Sequence, residues 1–252
     1  MKRVGIITAV VVALVAATLA GLWWGHHTTT RSTTPTPTTS KATTPASQLA
    51  AGTVVAGEGG TLPGPGTLKL GYAHTPDGAV AAITNYVMAA NDKTNLASPA
   101  YRTALVNAIA LDDASKTGIT SVVDLIANNC AHYGDCRLEP RRGSYAIRAY
   151  ADDRAEVALW VPYYLAQPVG TYMAGSFWGI STYALTWNGS DWKVASLAGD
   201  LITDDSTVDL PLLANREGNP TRAEKAAVLT TPRGGTARLW ALSWTEYANA
   251  VR

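Results

Sequence analysis

Phenylalanine occurs once, cysteine twice and histidine four times in the 252 residues of this chain. Charge is scarce as well: 15% of residues are Asp, Glu, Lys or Arg, and the formal net charge is +1. That balance lacks the basic excess with which proteins hold phosphate backbones, so no nucleic-acid partner is expected. No Ser nucleophile elbow, Walker loop, zinc signature or dinucleotide fingerprint occurs. Common hydrolase and nucleotide chemistries are therefore unmarked, and no catalytic, cofactor-binding or metal-binding residue is assigned. Acid–base lyases and isomerases need leave no such mark.

What is present begins with a basic start, Lys2 and Arg3, followed by an uncharged run from Val4 to Trp24. About 20 apolar residues are what a helix needs to cross a membrane. Cations before the run hold the N-terminus in the cytoplasm, and Trp23 and Trp24 suit the far interface. A cleaved signal peptide is the rival reading. Both readings export the rest of the chain. No Cys lies near the run, which excludes a lipoprotein signal.

The expected organisation is a cytoplasmic N-terminus at 1–3, a transmembrane helix at 4–25 and a disordered linker at 26–70. An exported domain at 71–200 and a docking C-terminal extension at 201–252 follow. Thr and Pro dominate Thr28–Pro45, which leaves almost nothing apolar to bury. Gly57-Glu58-Gly59-Gly60 and Pro63-Gly64-Pro65-Gly66 read as further linker.

Thr75-Pro76-Asp77 is a helix start: Thr as cap, Pro at the first turn, an acid at the positive end of the dipole. Val80, Ile83, Val87 and Ala90 continue it to about Asn91. Ser98-Pro99 starts a second helix with Tyr101, Leu105 and Ile109 on one face. A third spans roughly Thr120–Asn129. The period then drops to two, at Tyr145–Ala149, Val157–Val161, Phe177–Trp187 and Trp192–Leu197. Asn188-Gly189-Ser190-Asp191 signals a hairpin, with Trp187 and Trp192 facing each other across it. The same residues match a glycosylation sequon, but the turn explains them better. Three helices packed on a curved four-stranded or larger antiparallel sheet make an α+β domain. In the tail, Pro220–Leu229 has weak helical character, and Leu239, Leu242 and Tyr247 form a last short element.

Cys130 and Cys136 read as a disulfide in an exported domain. A metal site with His132, or free thiols, are the alternatives. His74 with Asp77 could do acid–base work, although the helix dipole explains Asp77. Asp112-Asp113, Asp152-Asp153 and Asp204-Asp205 read as acidic turns, with Ca²⁺ ligation the alternative for the first and last. Arg137, Arg141 and Arg142 form a basic cluster beside Cys136, suited to an acidic partner, anionic headgroups or simple solvation. Eight Trp and eleven Tyr suit half-buried sheet surfaces and interfaces. Trp160, Trp178 and Trp240 are the candidates for an exposed aromatic interaction patch.

Helices leading into an antiparallel sheet that ends in Trp187-Asn188-Gly189-Ser190-Asp191-Trp192-Lys193-Val194 resemble the nuclear-transport-factor-2-like (cystatin-like α+β cone) superfamily. The stretch Gly71–Ala82 looks like the start of exported domains in actinobacterial single-pass membrane proteins. The layout is similar to the assembly-factor component of type IV secretion and conjugation systems. The resemblance implies a non-enzymatic membrane-anchored protein that binds other envelope or secretion-machine proteins, with no cofactor. A homo-oligomer is left open. The alternative is a cone that binds a small ligand, with or without acid–base catalysis, through Tyr86, Tyr163, Tyr164 or His74.

Overall fold

The computed structural model describes residues 49–168, 175–198, 221–230 and 242–251. Three short strands come first, β1 (Ala50–Ala51), β2 (Leu62–Pro63) and β3 (Lys69–Leu70). Helix α1 (Pro76–Ala89) opens on the Thr75 cap, whose hydroxyl accepts from the Gly78 amide at 3.0 Å. Gly78 is required there, because a Cβ would lie 1.9 Å from the Ala73 carbonyl oxygen. Nearly every residue of α1 is buried, which makes it the central helix of the domain.

A one-turn helix, α2 (Lys93–Leu96), is capped by Asp92. Helix α3 (Pro99–Ile109) starts at Ser98, as its Ser-Pro signal indicates. Helix α4 (Asp113–Cys130) begins seven residues before the expected Thr120, since Asp112 and Ser115 form a reciprocal capping box. The Ser115 amide donates to Asp112 at 2.8 Å, and the Asp112 amide donates to the Ser115 hydroxyl at 2.9 Å. Asp112 is thus a helix cap rather than an acidic turn. Its amide donors hold the carboxyl below the usual carboxylate range.

Strands β4 (Tyr133–Leu138), β5 (Ser144–Ala151), β6 (Arg154–Pro168), β7 (Gly175–Trp187) and β8 (Trp192–Ala198) follow. Helix α5 (Arg222–Thr230) and strand β9 (Thr245–Glu246) come last. The main sheet has seven strands in the order β1-β9-β5-β6-β7-β8, with β4 paired to β6 beyond the end of β5. β6 is long enough to take β5 on its first half and β4 on its second. Strand alternation divides β6 between two cores. Val157, Leu159 and Val161 join α1, α3 and α4 in one cluster, while Ala158 and Trp160 join α5 and Trp244 in another.

These elements correct the expected fold. The chain is mixed α+β, but four helices rather than three lie before β4, and the sheet, expected to have four or more antiparallel strands, has seven with β1 and β9 parallel. Of the extra pieces, α2, β1 and β9 are too short to show a period, and β4 alternates over only a few residues. The expected disordered linker at 26–70 is corrected from Leu49 onward, and residues 26–48 lie outside the described residues. From Leu49 the chain is ordered: Val54, Ala56 and Leu68 are core residues, and β2 pairs with β3. Among the described residues no helix is long and apolar enough to cross a membrane. The run at 4–25 lies outside the described residues.

The tail ties this segment in. β9 lies parallel to β1 and antiparallel to β5. The Gly52 amide donates to the Glu246 carbonyl at 2.9 Å, and the Ala248 amide to the Val54 carbonyl at 2.8 Å. Asn249 bonds Ala56 in both directions at 3.0 Å. Glu246, fully buried, binds Lys225 at 3.0 Å and Arg222 at 2.7 Å from α5.

Candidate functional site

The hairpin between β7 and β8 meets the expectation in detail. Gly189 takes a φ of 94°, and the Asn188 carboxamide accepts from the Ser190 and Asp191 amides at 3.1 and 2.9 Å. Trp187 and Trp192 are register partners with ring centroids 5.5 Å apart. Asp191 turns inward, is buried, and accepts from the Tyr72 amide, the Trp192 amide and the Tyr86 hydroxyl at 3.1, 3.0 and 3.2 Å. Burial first, and then the Asp191 charge, pushes the Tyr86 phenol well above its ordinary value. This network pins the hairpin to α1, a structural task.

The candidate acid–base residues stay apart. His74 is exposed, lies flat against Trp187 at 4.2 Å and bonds the Asp152 carbonyl oxygen. Asp77 accepts instead from the Thr53 hydroxyl. Tyr86 is held by the hairpin, Tyr163 by the disulfide, and Tyr164 lies beneath two arginines. Asp204 and Asp205 lie outside the described residues. Among the described residues no cluster of His, Cys, Asp and Glu could hold a metal ion.

Cys130 and Cys136 are joined by a disulfide, with Cα atoms 5.4 Å apart. It fastens the end of α4 to β4. The Tyr163 hydroxyl lies 3.1 Å from Cys130 Sγ and 2.6 Å from Cys136 Sγ. Burial raises that phenol above its ordinary value.

The expected exposed tryptophan patch is corrected. Trp160 is 1% exposed and Trp178 6%, their rings tilted together at 4.3 Å beneath α5 and Trp244. Both occupy even positions on the sheet face that the tail covers, and a poorly legible tail hid that cover. Trp240 lies outside the described residues.

An open groove of about 490 Å³ runs instead along β4. One wall is β4 and the turn after it; the other is the end of α1 and the start of α2, with Ala56 and Asn249 at the tail junction. Asp135, Arg137 and Glu139 alternate with Cys136 and Leu138, so strand geometry turns the charges to one side and Cys136 to the core. Arg137 pairs with Asp135 and, at 2.9 Å, with Glu139; Arg141 reaches Glu139 at 3.6 Å. The guanidinium carbons of Arg137 and Arg142 sit 5.8 and 5.3 Å from the Tyr164 ring centroid. Lys93 bonds the carbonyl oxygens of Tyr133 and Gly134, the latter at 3.3 Å.

Arg137 and Arg141 of the cluster read from the sequence therefore line a real concavity, and Arg142 lies beside it over Tyr164. Lys93, Asp135 and Glu139 were not singled out beforehand. The alternating Asp135-Cys136-Arg137-Leu138-Glu139 pattern was the available signal for two of them. Lys93 is brought in only by the fold.

The model of a family described as a domain of unknown function (DUF8175) matches residues 25–211. The match includes the helices, β4 to β8 and most of the groove, and ends before α5. No curated protein and no solved structure matches the chain.

Proposed function

The chain belongs to the DUF8175 family, and we propose for it a non-enzymatic, membrane-anchored envelope protein whose exported domain binds other proteins. The groove along β4 is the observation that carries this reading. It is open, mixed in charge, and bordered by a strand edge that no other strand covers among the described residues. Recognition surfaces combine such polar rims with a backbone edge available for pairing. The disulfide, which suits an oxidising compartment, stiffens one wall. The apolar run before Gly25 supplies the anchor and places the domain outside the cell as a single-pass protein.

A conjugation or secretion apparatus is the proposed setting, and kinship with the cone superfamily belongs to the same proposal. Its support is the order of helices before sheet and the Trp187–Val194 hairpin. The test is crosslinking of the full-length protein in its own cells, followed by mass spectrometry of what copurifies. Recovery of defined membrane or ATPase components supports a machine subunit. A clean monomer or homodimer, under conditions that capture a positive control, contradicts it. Deletion of the gene with transfer and secretion intact removes that setting alone.

A further inference from the structure

Resting on that reading, we propose that the β4 groove binds an extended segment of a partner protein that carries carboxylate side chains. Two observations combine. The first is the backbone edge. The Glu139 amide donates to the Pro162 carbonyl at 3.1 Å, and Leu138 pairs with Tyr163 in register. In an antiparallel pair, alternate residues turn their amide and carbonyl groups away from the partner strand. Gly134, Cys136 and Leu138 therefore present theirs to the groove side. An added strand would bond there.

The second observation is charge. Arg137 and Arg141 are matched by Asp135 and Glu139. Among the described residues, neither Lys93, which lines the groove, nor Arg142, which lies beside it, is paired with a carboxylate. Lys93 rests on the carbonyl oxygens of Tyr133 and Gly134, the second of them an edge acceptor, and Arg142 rests on the Tyr164 ring. Edge lysines guard exposed strands against indiscriminate pairing. A carboxylate on the incoming segment draws Lys93 away and frees the Gly134 carbonyl for backbone bonding. A segment without an acid leaves the guard in place. Anionic lipid headgroups are the lesser fit, since Asp135 and Glu139 interrupt the cationic rim and the site is concave.

The experiment is selection of a random-peptide display library on the full-length chain in detergent. The expected peptides carry Asp or Glu two residues apart, the strand period. One such synthetic peptide then binds about tenfold more weakly to Lys93→Glu and to Arg142→Glu, and equally to Lys69→Glu. It also slows amide exchange at Gly134, Cys136 and Leu138. A thermal midpoint within a few degrees of the parent certifies each variant's fold. Failure to enrich acidic peptides overturns the proposal, as does indifference to both reversals. Binding of phosphatidylglycerol vesicles through the same residues, without peptide binding, also overturns it. In-cell crosslinks to a protein that arise away from the groove sink this inference and leave the protein-binding reading standing.

Discussion

The sheet face under α5 and the groove along β4 both carry side chains typical of interfaces, yet the domain uses them oppositely. Trp160 and Trp178 are the large aromatics that dominate binding energies elsewhere. Here they are interior, covered by the tail and flanked by the buried Glu246 ion pairs. Among the described residues no aromatic lines the groove, which stays open, and Tyr164 lies beside it beneath two arginines. Aromatic content thus marks burial in one region, whereas unmatched charge beside a bare strand edge marks exposure in the other. The covered face also contains polar atoms without partners among the described residues, the Ser144 hydroxyl, the Thr182 hydroxyl and the Trp178 indole N–H.

The contrast is sharpest under substitutions of the covered face. Trp160→Ala lowers stability by about 3–5 kcal/mol in denaturant unfolding, as loss of a large core side chain does. Glu246→Ala costs about as much, roughly 3–5 kcal/mol, because it removes the carboxylate that holds buried Lys225 and Arg222. A cost below about 1 kcal/mol for either would break the comparison. At the groove, loss of the disulfide through Cys130→Ala with Cys136→Ala lowers stability by about 2–3 kcal/mol, given its sequence separation of six.

How far the sequence discloses each region follows from length and period. α1, α3 and the β6–β8 hairpins carry strong caps or long alternation, and each is legible. α4 was half legible, because its first turn is polar and only the Asp112–Ser115 box starts it. β1 and β9 have two residues each, too few for a period, and they pair across nearly the whole chain. Trp160 and Trp178 were candidates for an interaction patch, with the core as the alternative, because α5 and Trp244, which cover them, lie in a tail of weak pattern. The arginine cluster was visible, but its groove depends on Lys93 arriving from a one-turn helix.

A smaller effect separates the faces by sign. Thr84 is fully buried among the helices and bonds the Tyr247 hydroxyl at 2.9 Å. Thr84→Val therefore lowers stability by about 1 kcal/mol or more, leaving that phenol buried without its partner. Thr182, 3% exposed on the covered face, has no such bond among the described residues. Thr182→Val raises stability by about 1 kcal/mol, since it removes a polar atom buried without compensation. Equal signs would show the two cores to be alike.

Alkali gives a gentler probe. Tyr145 packs against Tyr247, and burial, aided by the Asp77 charge, raises its phenol to about 12. A folded-state value above the unfolded one contributes stability that is complete below the unfolded value near 10 and is lost as pH rises towards about 12. Thermal midpoints should fall over that window, and Tyr145→Phe should flatten the fall.

The measurement that bears most directly on the groove as the binding surface is site-specific photocrosslinking in producing cells. A photoreactive residue is placed at Thr94 on the groove wall or at Leu62, which is 55% exposed and lies outside the groove. The account predicts an adduct with one envelope protein, identified by mass spectrometry, from Thr94 and none from Leu62. Adducts of equal yield from both positions, or none from Thr94, would contradict it.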